Sequence, residues 1–266
     1  MSAQPFLPVR MGFISSEVIK LKGTFGDGEV RLCRCEPAAA NGVNVVLLHG
    51  VHSSANLSRH NKFRHLADVL ADSGFASWLV ETSRRVRDKH VYGSDMAAWI
   101  RDAFSGKTFP QEQEDAFAGI REVFRRVKKQ RVWLWGFSLG GIIALSAAAV
   151  LPAVEKIILS GTGLVSFPNV EKYIPTTPIL STLRSTLSPD TIQCVKANGL
   201  ISFRGSKDEV FPESSCRELF NAIPLPPEAK HFFVVEGSDH SMRMRDSKAC
   251  PQIMDEMVSC IVKTWL

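Results

Sequence analysis

The sequence predicts an α/β protein built on a mostly parallel sheet. Short apolar runs rich in strand formers alternate with segments of helical periodicity over most of the chain, as in residues 63–80, where a helix leads into a buried strand. This alternation is typical of βαβ units. The start of the chain differs, because two period-two runs at 17–21 and 30–35 flank a Gly-Asp-Gly turn. They predict an N-terminal antiparallel hairpin at the sheet edge.

Length and composition favour one globular domain. The chain has 266 residues, of which 45% are hydrophobic and 22% charged, so we expect a single domain over 1–266 with a small cap or lid at 161–198, where prolines interrupt the pattern. The net charge of +5, from 32 basic and 27 acidic residues, is too mild to predict nucleic-acid binding and leaves an anionic substrate open. No apolar run reaches the length of about 18 residues that a spanning helix needs, so no membrane insertion is expected. The oligomeric state stays open.

The cysteines indicate neither a metal site nor a redox dithiol. None of the six has Cys-x-x-Cys spacing. We interpret them as reduced packing residues, which predicts a cytoplasmic protein. As a separate expectation, the protein needs neither a metal nor an organic cofactor. They are Cys33, Cys35, Cys194, Cys216, Cys250 and Cys260.

A Gly-x-Ser-x-Gly motif at residues 136–140 is the strongest functional signal. The apolar strand formers of 131–135 precede it, and the small and aliphatic residues of 141–150 predict a helix after it. Ser138 therefore lies in a sharp turn from strand to helix, where flanking glycines make room and the hydroxyl is exposed at the helix N-terminus. A serine that only caps the helix is the alternative.

Three further segments follow predicted strands. His49, Gly50 and Val51 come after the buried run at 43–48, Asp208 comes after the run at 200–205, and His240 comes after the run at 232–236. Among the other acidic residues, Glu209 is adjacent to Asp208, and Asp190 belongs to the insertion.

With these motifs in this order, the sequence resembles the α/β-hydrolase superfamily, in particular serine esterases and thioesterases with a nucleophile elbow. The resemblance implies a sheet flanked by helices, with the lid inserted after the sixth strand. It also implies a catalytic triad of Ser138, His240 and Asp208, in the chain order Ser, Asp, His. The backbone N–H groups of Val51 and Leu139 would form the oxyanion hole.

Each predicted role has a chemical reason. An alcohol is almost un-ionised at neutral pH, so Ser138 needs His240 to take its proton and return it to the leaving group. Asp208 would fix the imidazole tautomer. The prediction is a serine hydrolase that cleaves an ester or thioester through an acyl-enzyme. Acyl-CoA or carrier-protein thioester hydrolysis, acyl transfer, carbon–carbon bond hydrolysis and peptide hydrolysis use the same triad and stay open, as does a catalytically weak ligand receptor.

Substrate contacts are less explicit in the sequence. The basic loop at 83–90 contains Arg84 and Arg87, and in the usual strand order of the fold it is expected to leave a strand beside the one that carries Ser138. It could hold a carboxylate or phosphate, although a charge run is more often a solvated surface. Phe167 and Tyr173 in the insertion could line an acyl pocket or pack the lid itself. His52, directly after Val51, is a further candidate contact.

Overall fold

A computed structural model describes residues 11–59, 61–164, 176–183, 188–243 and 251–266. The strands are β1 (Ser15–Lys22), β2 (Glu29–Glu36), β3 (Val43–Leu48), β4 (Ala76–Glu81), β5 (Arg131–Phe137), β6 (Val154–Ser160), β7 (Leu200–Gly205) and β8 (Lys230–Val235). The helices are α1 (Lys62–Asp72), α2 (Met96–Phe104), α3 (Phe109–Val127), α4 (Leu139–Val150), α5 (Pro189–Gln193), α6 (Glu213–Ala222) and α7 (Pro251–Trp265). Within these described ranges, no helix is long and apolar enough to cross a bilayer.

The eight strands form one sheet in the order β1-β2-β4-β3-β5-β6-β7-β8. β1 pairs with β2 and β2 with β4 in antiparallel fashion, while every other neighbouring pair is parallel. The predicted fold class is therefore confirmed, including the antiparallel hairpin at the edge of the sheet.

Both faces of the sheet are covered, so the central strands β3 and β4 are buried over their whole length. Along β3, Val46 and Leu48 belong to one core cluster and Val45 and Leu47 to the other. The first cluster includes residues of α3 and α4, and the second includes residues of α1 and α7. This period-two division between two helical layers explains why β3, β4 and β7 read as continuous apolar runs rather than as alternating ones.

The position of β4 corrects one expectation of the sequence. The basic loop was expected to leave a strand directly beside the one that carries Ser138. In the structure β3 lies between β4 and β5. The loop after β4 is therefore two strands from the serine, and it faces the loop that follows β3.

The described parts of the insertion pack onto the domain. Residues 176–183 form turns, and α5 is a single short helix capped by the Ser188 side chain. Ile179, Leu180 and Leu183 are buried in the same core cluster as α3 and α4, so these three residues serve packing. Phe167 and Tyr173 lie outside the described residues, and the lid itself stays a prediction.

Candidate active site

Ser138 occupies a strained turn between β5 and α4. Its φ of 53° and ψ of −116° are values that non-glycine residues rarely adopt. Neighbouring glycines permit this turn, because a Cβ on Gly136 would lie 2.2 Å from the Gly140 carbonyl oxygen, and one on Gly140 would lie 2.4 Å from the Leu48 carbonyl oxygen. The motif thus brings the serine close to the end of β3 by omitting side chains.

Backbone hydrogen bonds hold the serine in place. The Ser138 N–H donates to the Ser160 carbonyl at 2.8 Å, which ties the elbow to the end of β6. The Ser138 carbonyl accepts from the Gly141 N–H at 2.9 Å and from the Thr162 hydroxyl at 3.1 Å. These bonds use the backbone of Ser138 and leave its hydroxyl to contact other groups.

The structure brings the three predicted triad residues into one hydrogen-bonded relay. Ser138 Oγ lies 3.0 Å from His240 Nε2, and His240 Nδ1 lies 3.0 Å from Asp208 Oδ2. An ionised carboxylate can only accept, so Nδ1 carries the ring proton and donates to Asp208. Nε2 is left to accept the proton of the serine hydroxyl. This geometry is suited to a nucleophile, a base and an orienting carboxylate.

The surroundings of Asp208 keep it ionised. Its side chain is buried, and Oδ1 accepts from the N–H groups of Val210 at 2.8 Å and Phe211 at 3.0 Å. Burial alone would raise the pKa of Asp208, but the His240 hydrogen bond and the two amides hold it below its usual value. The adjacent Glu209 is exposed and makes no contact with His240. The geometry therefore selects Asp208 over its neighbour.

A compact turn after β8 presents His240. The Asp239 carboxylate accepts from the N–H groups of Ser241 and Arg243, both at 2.8 Å, and so closes the turn. From α1, Lys62 Nζ donates to the Ser241 carbonyl at 3.1 Å and lies 4.2 Å from the centre of the Phe137 ring. Burial lowers the pKa of Lys62 to about 7. The contact of Lys62 with this turn could not be predicted from the sequence, because α1 is far away along the chain.

The two amides predicted for the oxyanion hole flank the serine. Leu139 is the first residue of α4, where N–H groups have no intrahelical acceptor. Val51 lies in the turn after β3, next to Gly50, whose added Cβ would lie 3.3 Å from Ser138 Cβ. Neither amide donates to another residue within the described part of the chain. Both are available to an oxygen that develops negative charge near Ser138.

Arg84 and Arg87 require a correction. Both were candidates for binding an anionic substrate, but the Arg84 side chain is fully buried and that of Arg87 is 14% exposed. Arg87 pairs with Asp27 at 2.6 Å and with Glu81 at 2.8 Å, and Arg84 donates to the backbone carbonyls of Thr82 and Ser53. Internal partners occupy both guanidinium groups, so this loop does not offer them to a substrate.

His52 lies beside the predicted oxyanion hole with a φ of 51°. Its half-buried ring packs against Phe104, with the ring centres 5.5 Å apart. Burial lowers the pKa of His52 to about 4. A substrate contact of His52 stays a prediction, whereas its contact with α2 is part of the fold.

A set of buried ionic residues behind the loop of residues 49–54 was not predicted from the sequence. Lys107 Nζ lies 2.6 Å from Glu112 and 3.0 Å from Asp115, and all three side chains are almost inaccessible. Burial opposes the ionisation of Glu112, but Lys107 lowers its pKa to about 2. One signal was present: Glu112 and Asp115 share the helical stripe of α3 that continues through Ala116 and Ile120 into the core.

Among the residues that the structure describes, no group of three or more His, Cys, Asp or Glu side chains could hold a metal ion.

Comparisons with known proteins identify the fold. No family model matches the sequence, and no curated protein is significantly similar to it. An α/β serine hydrolase without lid from Xanthomonas campestris has a TM-score of 0.61 at 17% identity, covering 99% of this chain and 98% of that chain. A dienelactone hydrolase from Anabaena variabilis has a TM-score of 0.61 at 17% identity, with coverages of 94% and 99%. An α/β serine hydrolase homologue from Coxiella burnetii has a TM-score of 0.62 at 17% identity, with coverages of 94% and 97%. The chain has the α/β-hydrolase fold.

Proposed function

We propose that this protein is a serine hydrolase that cleaves a carboxylic ester or thioester through an acyl-enzyme intermediate. The observation that carries the proposal is the relay of two 3.0 Å contacts from Asp208 through His240 to Ser138. A buried carboxylate, an imidazole that contacts both of its partners and a strained serine at a helix N-terminus together suit nucleophilic catalysis, whereas a purely structural role would not require this combination.

In the proposed reaction, Ser138 Oγ attacks the acyl carbon while its proton passes to His240 Nε2. The carbonyl oxygen gains negative charge, which the amides of Val51 and Leu139 stabilise. His240 then gives the proton to the departing alkoxide or thiolate, which leaves the acyl group on Ser138. Water attacks this ester by the reverse sequence, with His240 again taking and returning a proton. Asp208 stabilises the imidazolium that exists between the two transfers.

The acyl chain, the leaving group and a cytoplasmic location stay predictions. Thioesterase, acyltransferase, carbon–carbon hydrolase and peptidase activities would use the same relay. Because one structurally similar protein is a dienelactone hydrolase, a dienelactone belongs in the substrate panel beside p-nitrophenyl esters and acyl-CoAs. The hypothesis from another class is a ligand receptor with this fold.

The test combines covalent labelling with hydrolysis. A fluorophosphonate should modify Ser138, as located by mass spectrometry of the labelled peptide, and Ser138→Ala should lose both labelling and hydrolysis, by about 10³-fold or more. Asp208→Asn should lower kcat by about 10³–10⁴-fold, whereas Glu209→Gln should stay within about twofold because Glu209 does not touch the relay. Ser181→Ala, at an exposed serine, is the control for labelling. A folded wild-type protein that neither labels nor turns over any substrate would support the receptor instead.

A further inference from the structure

A group of charged side chains is buried behind the loop of residues 49–54, which we call the oxyanion loop. This buried charge cluster consists of Glu81, Arg84, Lys107, Glu112 and Asp115, all of whose side chains are 6% exposed or less. Its members come from the end of β4, the loop after it, the connection before α3, and α3 itself. Removing five charges from water carries a large desolvation cost, so the cluster needs an explanation beyond packing.

Arg84 connects the cluster to the oxyanion loop. Its Nη1 donates to the Ser53 carbonyl at 3.0 Å, and its Nε donates to the Thr82 carbonyl at 3.2 Å. Its Nη2 lies 3.5 Å from His49 Nε2, and the guanidinium lies 5.0 Å from the centre of the Phe104 ring. One rigid, planar donor group thus contacts both ends of the oxyanion loop.

These contacts fix the tautomer of His49. Its Nδ1 lies 2.8 Å from the Gly50 carbonyl, which can only accept, so Nδ1 carries the proton. Its Nε2 faces donors, namely the Thr82 hydroxyl at 3.3 Å, the Thr82 N–H at 3.5 Å and Arg84. Burial lowers the pKa of His49, and the nearby Glu112 opposes this shift while Arg84 reinforces it. His49 is therefore a neutral donor to Gly50.

The bond from His49 determines where the Val51 amide points. The Gly50 carbonyl and the Val51 N–H belong to one peptide unit, and in a trans peptide the two groups point to opposite sides. The chain has no cis peptide among its described residues. By holding the carbonyl, His49 aims the Val51 N–H away from its own ring, beside Gly50, on which an added Cβ would lie 3.3 Å from Ser138 Cβ.

We propose that Arg84 is a positioning residue that, through His49 and Ser53, orients the Val51 amide in the oxyanion hole. The proposal rests on the proposed hydrolase function. It assigns to Arg84 a role in the acceleration of acyl transfer, in place of contact with a substrate anion. Because the effect is on one hydrogen-bond donor to the oxyanion, it is expressed in kcat rather than in KM.

The experiment compares an ester with the thionoester of the same acyl and leaving groups, in which sulfur replaces the carbonyl oxygen. Sulfur is a weak hydrogen-bond acceptor, so the preference of the enzyme for the oxygen substrate reports how well the oxyanion donors are placed. For Arg84→Met we expect kcat on the ester to fall about 10- to 100-fold, which is no more than the effect of removing one oxyanion-hole donor outright. KM should stay within about threefold, and the oxygen preference should shrink by about fivefold or more.

Two other variants sharpen the test. Arg84→Lys keeps the charge but loses the planar fork, so it should recover part of the preference. Arg131→Met is the control for the loss of an arginine elsewhere, because Arg131 pairs with Glu155 at the opposite end of the strands. It should keep the wild-type preference. If Arg84→Met does not fold, Thr82→Val removes only a hydroxyl that faces His49 Nε2 and should shift the preference in the same direction, by about two- to threefold.

Circular dichroism and urea denaturation establish that each variant is folded. The inference is overturned if folded Arg84→Met, or Thr82→Val in its place, keeps the wild-type preference for the oxygen ester. It is also overturned if kcat falls equally on both substrates. In these cases the wild-type enzyme still hydrolyses the ester, and the proposed function stands. A wild-type protein that hydrolyses neither substrate and does not label Ser138 overturns the proposed function and the inference with it.

Discussion

The two sides of the candidate active site are built by opposite means. At the nucleophile elbow, close approach depends on absent side chains: a Cβ on Gly141 would lie 2.1 Å from Thr162 Oγ1, and one on Gly136 would meet the backbone of Gly140. Behind the oxyanion loop, position depends on long charged side chains, Arg84 and Lys107, that reach across the fold. One side is fixed by steric exclusion and the other by ion pairs.

This difference decides how each side responds to mutation. Backbone packing at the elbow tolerates no added atom, because the obstacle is main chain that cannot swing away. The buried charge cluster tolerates changes in shape better than the loss of one partner, which leaves an unpaired charge in a dry environment. We therefore expect the largest loss of stability from an added methyl group at the elbow and a somewhat smaller one from a deleted charge.

The first prediction is that Gly136→Ala lowers the free energy of unfolding by about 3 kcal/mol or more, or prevents folding, because the new Cβ would lie 2.2 Å from the Gly140 carbonyl oxygen. The control is Gly28→Ala, where φ is +66° but a Cβ meets nothing within 4 Å. Its cost should be about 1 kcal/mol, from backbone strain alone. Urea denaturation measures both, and equal losses would mean that the elbow is not sterically closed.

The same difference explains what the sequence could predict. Each residue of the candidate triad lies in the segment that follows a strand of the parallel part of the sheet, and these strands place their ends at one edge, so short local patterns were sufficient to find Ser138, Asp208 and His240. The N-terminal hairpin was equally local, because its turn and its two strands are contiguous.

Ion pairs could not be predicted in this way. A run of arginines specifies no partner, and the acids that pair with Arg87 come from the hairpin turn at Asp27 and from Glu81 at the end of β4. Only the order of the strands brings these segments together, with β2 paired to β4. The sequence therefore indicated an exposed loop, either an anion site or a solvated surface. In the structure, its Arg84 is among the most buried side chains.

The second prediction concerns Arg87→Met. Its partner Glu81 is 6% exposed, so the variant leaves a nearly buried carboxylate short of one partner and should lower the free energy of unfolding by about 2–3 kcal/mol. The matched change Arg217→Met breaks a pair with Glu213 whose two side chains are 49% and 42% exposed, and should cost less than about 0.5 kcal/mol.

The Arg87 variant also tests the earlier interpretation of the loop as a substrate site. Because Asp27 and Glu81 already occupy its guanidinium, KM for an anionic acyl thioester should change no more than KM for a neutral ester of equal acyl length. A selective increase for the anionic substrate, with little loss of stability, would restore the substrate-binding role.

The last prediction uses His52, which lies within the oxyanion loop and packs on Phe104 of α2. Its Nε2 is buried without a hydrogen-bond partner among the described residues, and burial lowers the pKa of His52 from 6.5 to about 4. Between these values the unfolded chain binds the proton and the folded protein does not, so protonation favours unfolding and stability falls as the pH drops from 6.5 towards 4. Relative to pH 7.5, His52 alone should lower the free energy of unfolding by about 2 kcal/mol at pH 5.

His52→Asn tolerates the positive φ and cannot titrate, so its free energy of unfolding should fall by that much less than the wild-type value over this interval. Urea denaturation at several pH values measures the difference. His52→Phe should reduce the dependence of the unfolding free energy on pH by the same amount, whatever its absolute stability. If both variants show the same pH dependence as wild type, His52 is protonated in the folded protein as readily as in the unfolded chain.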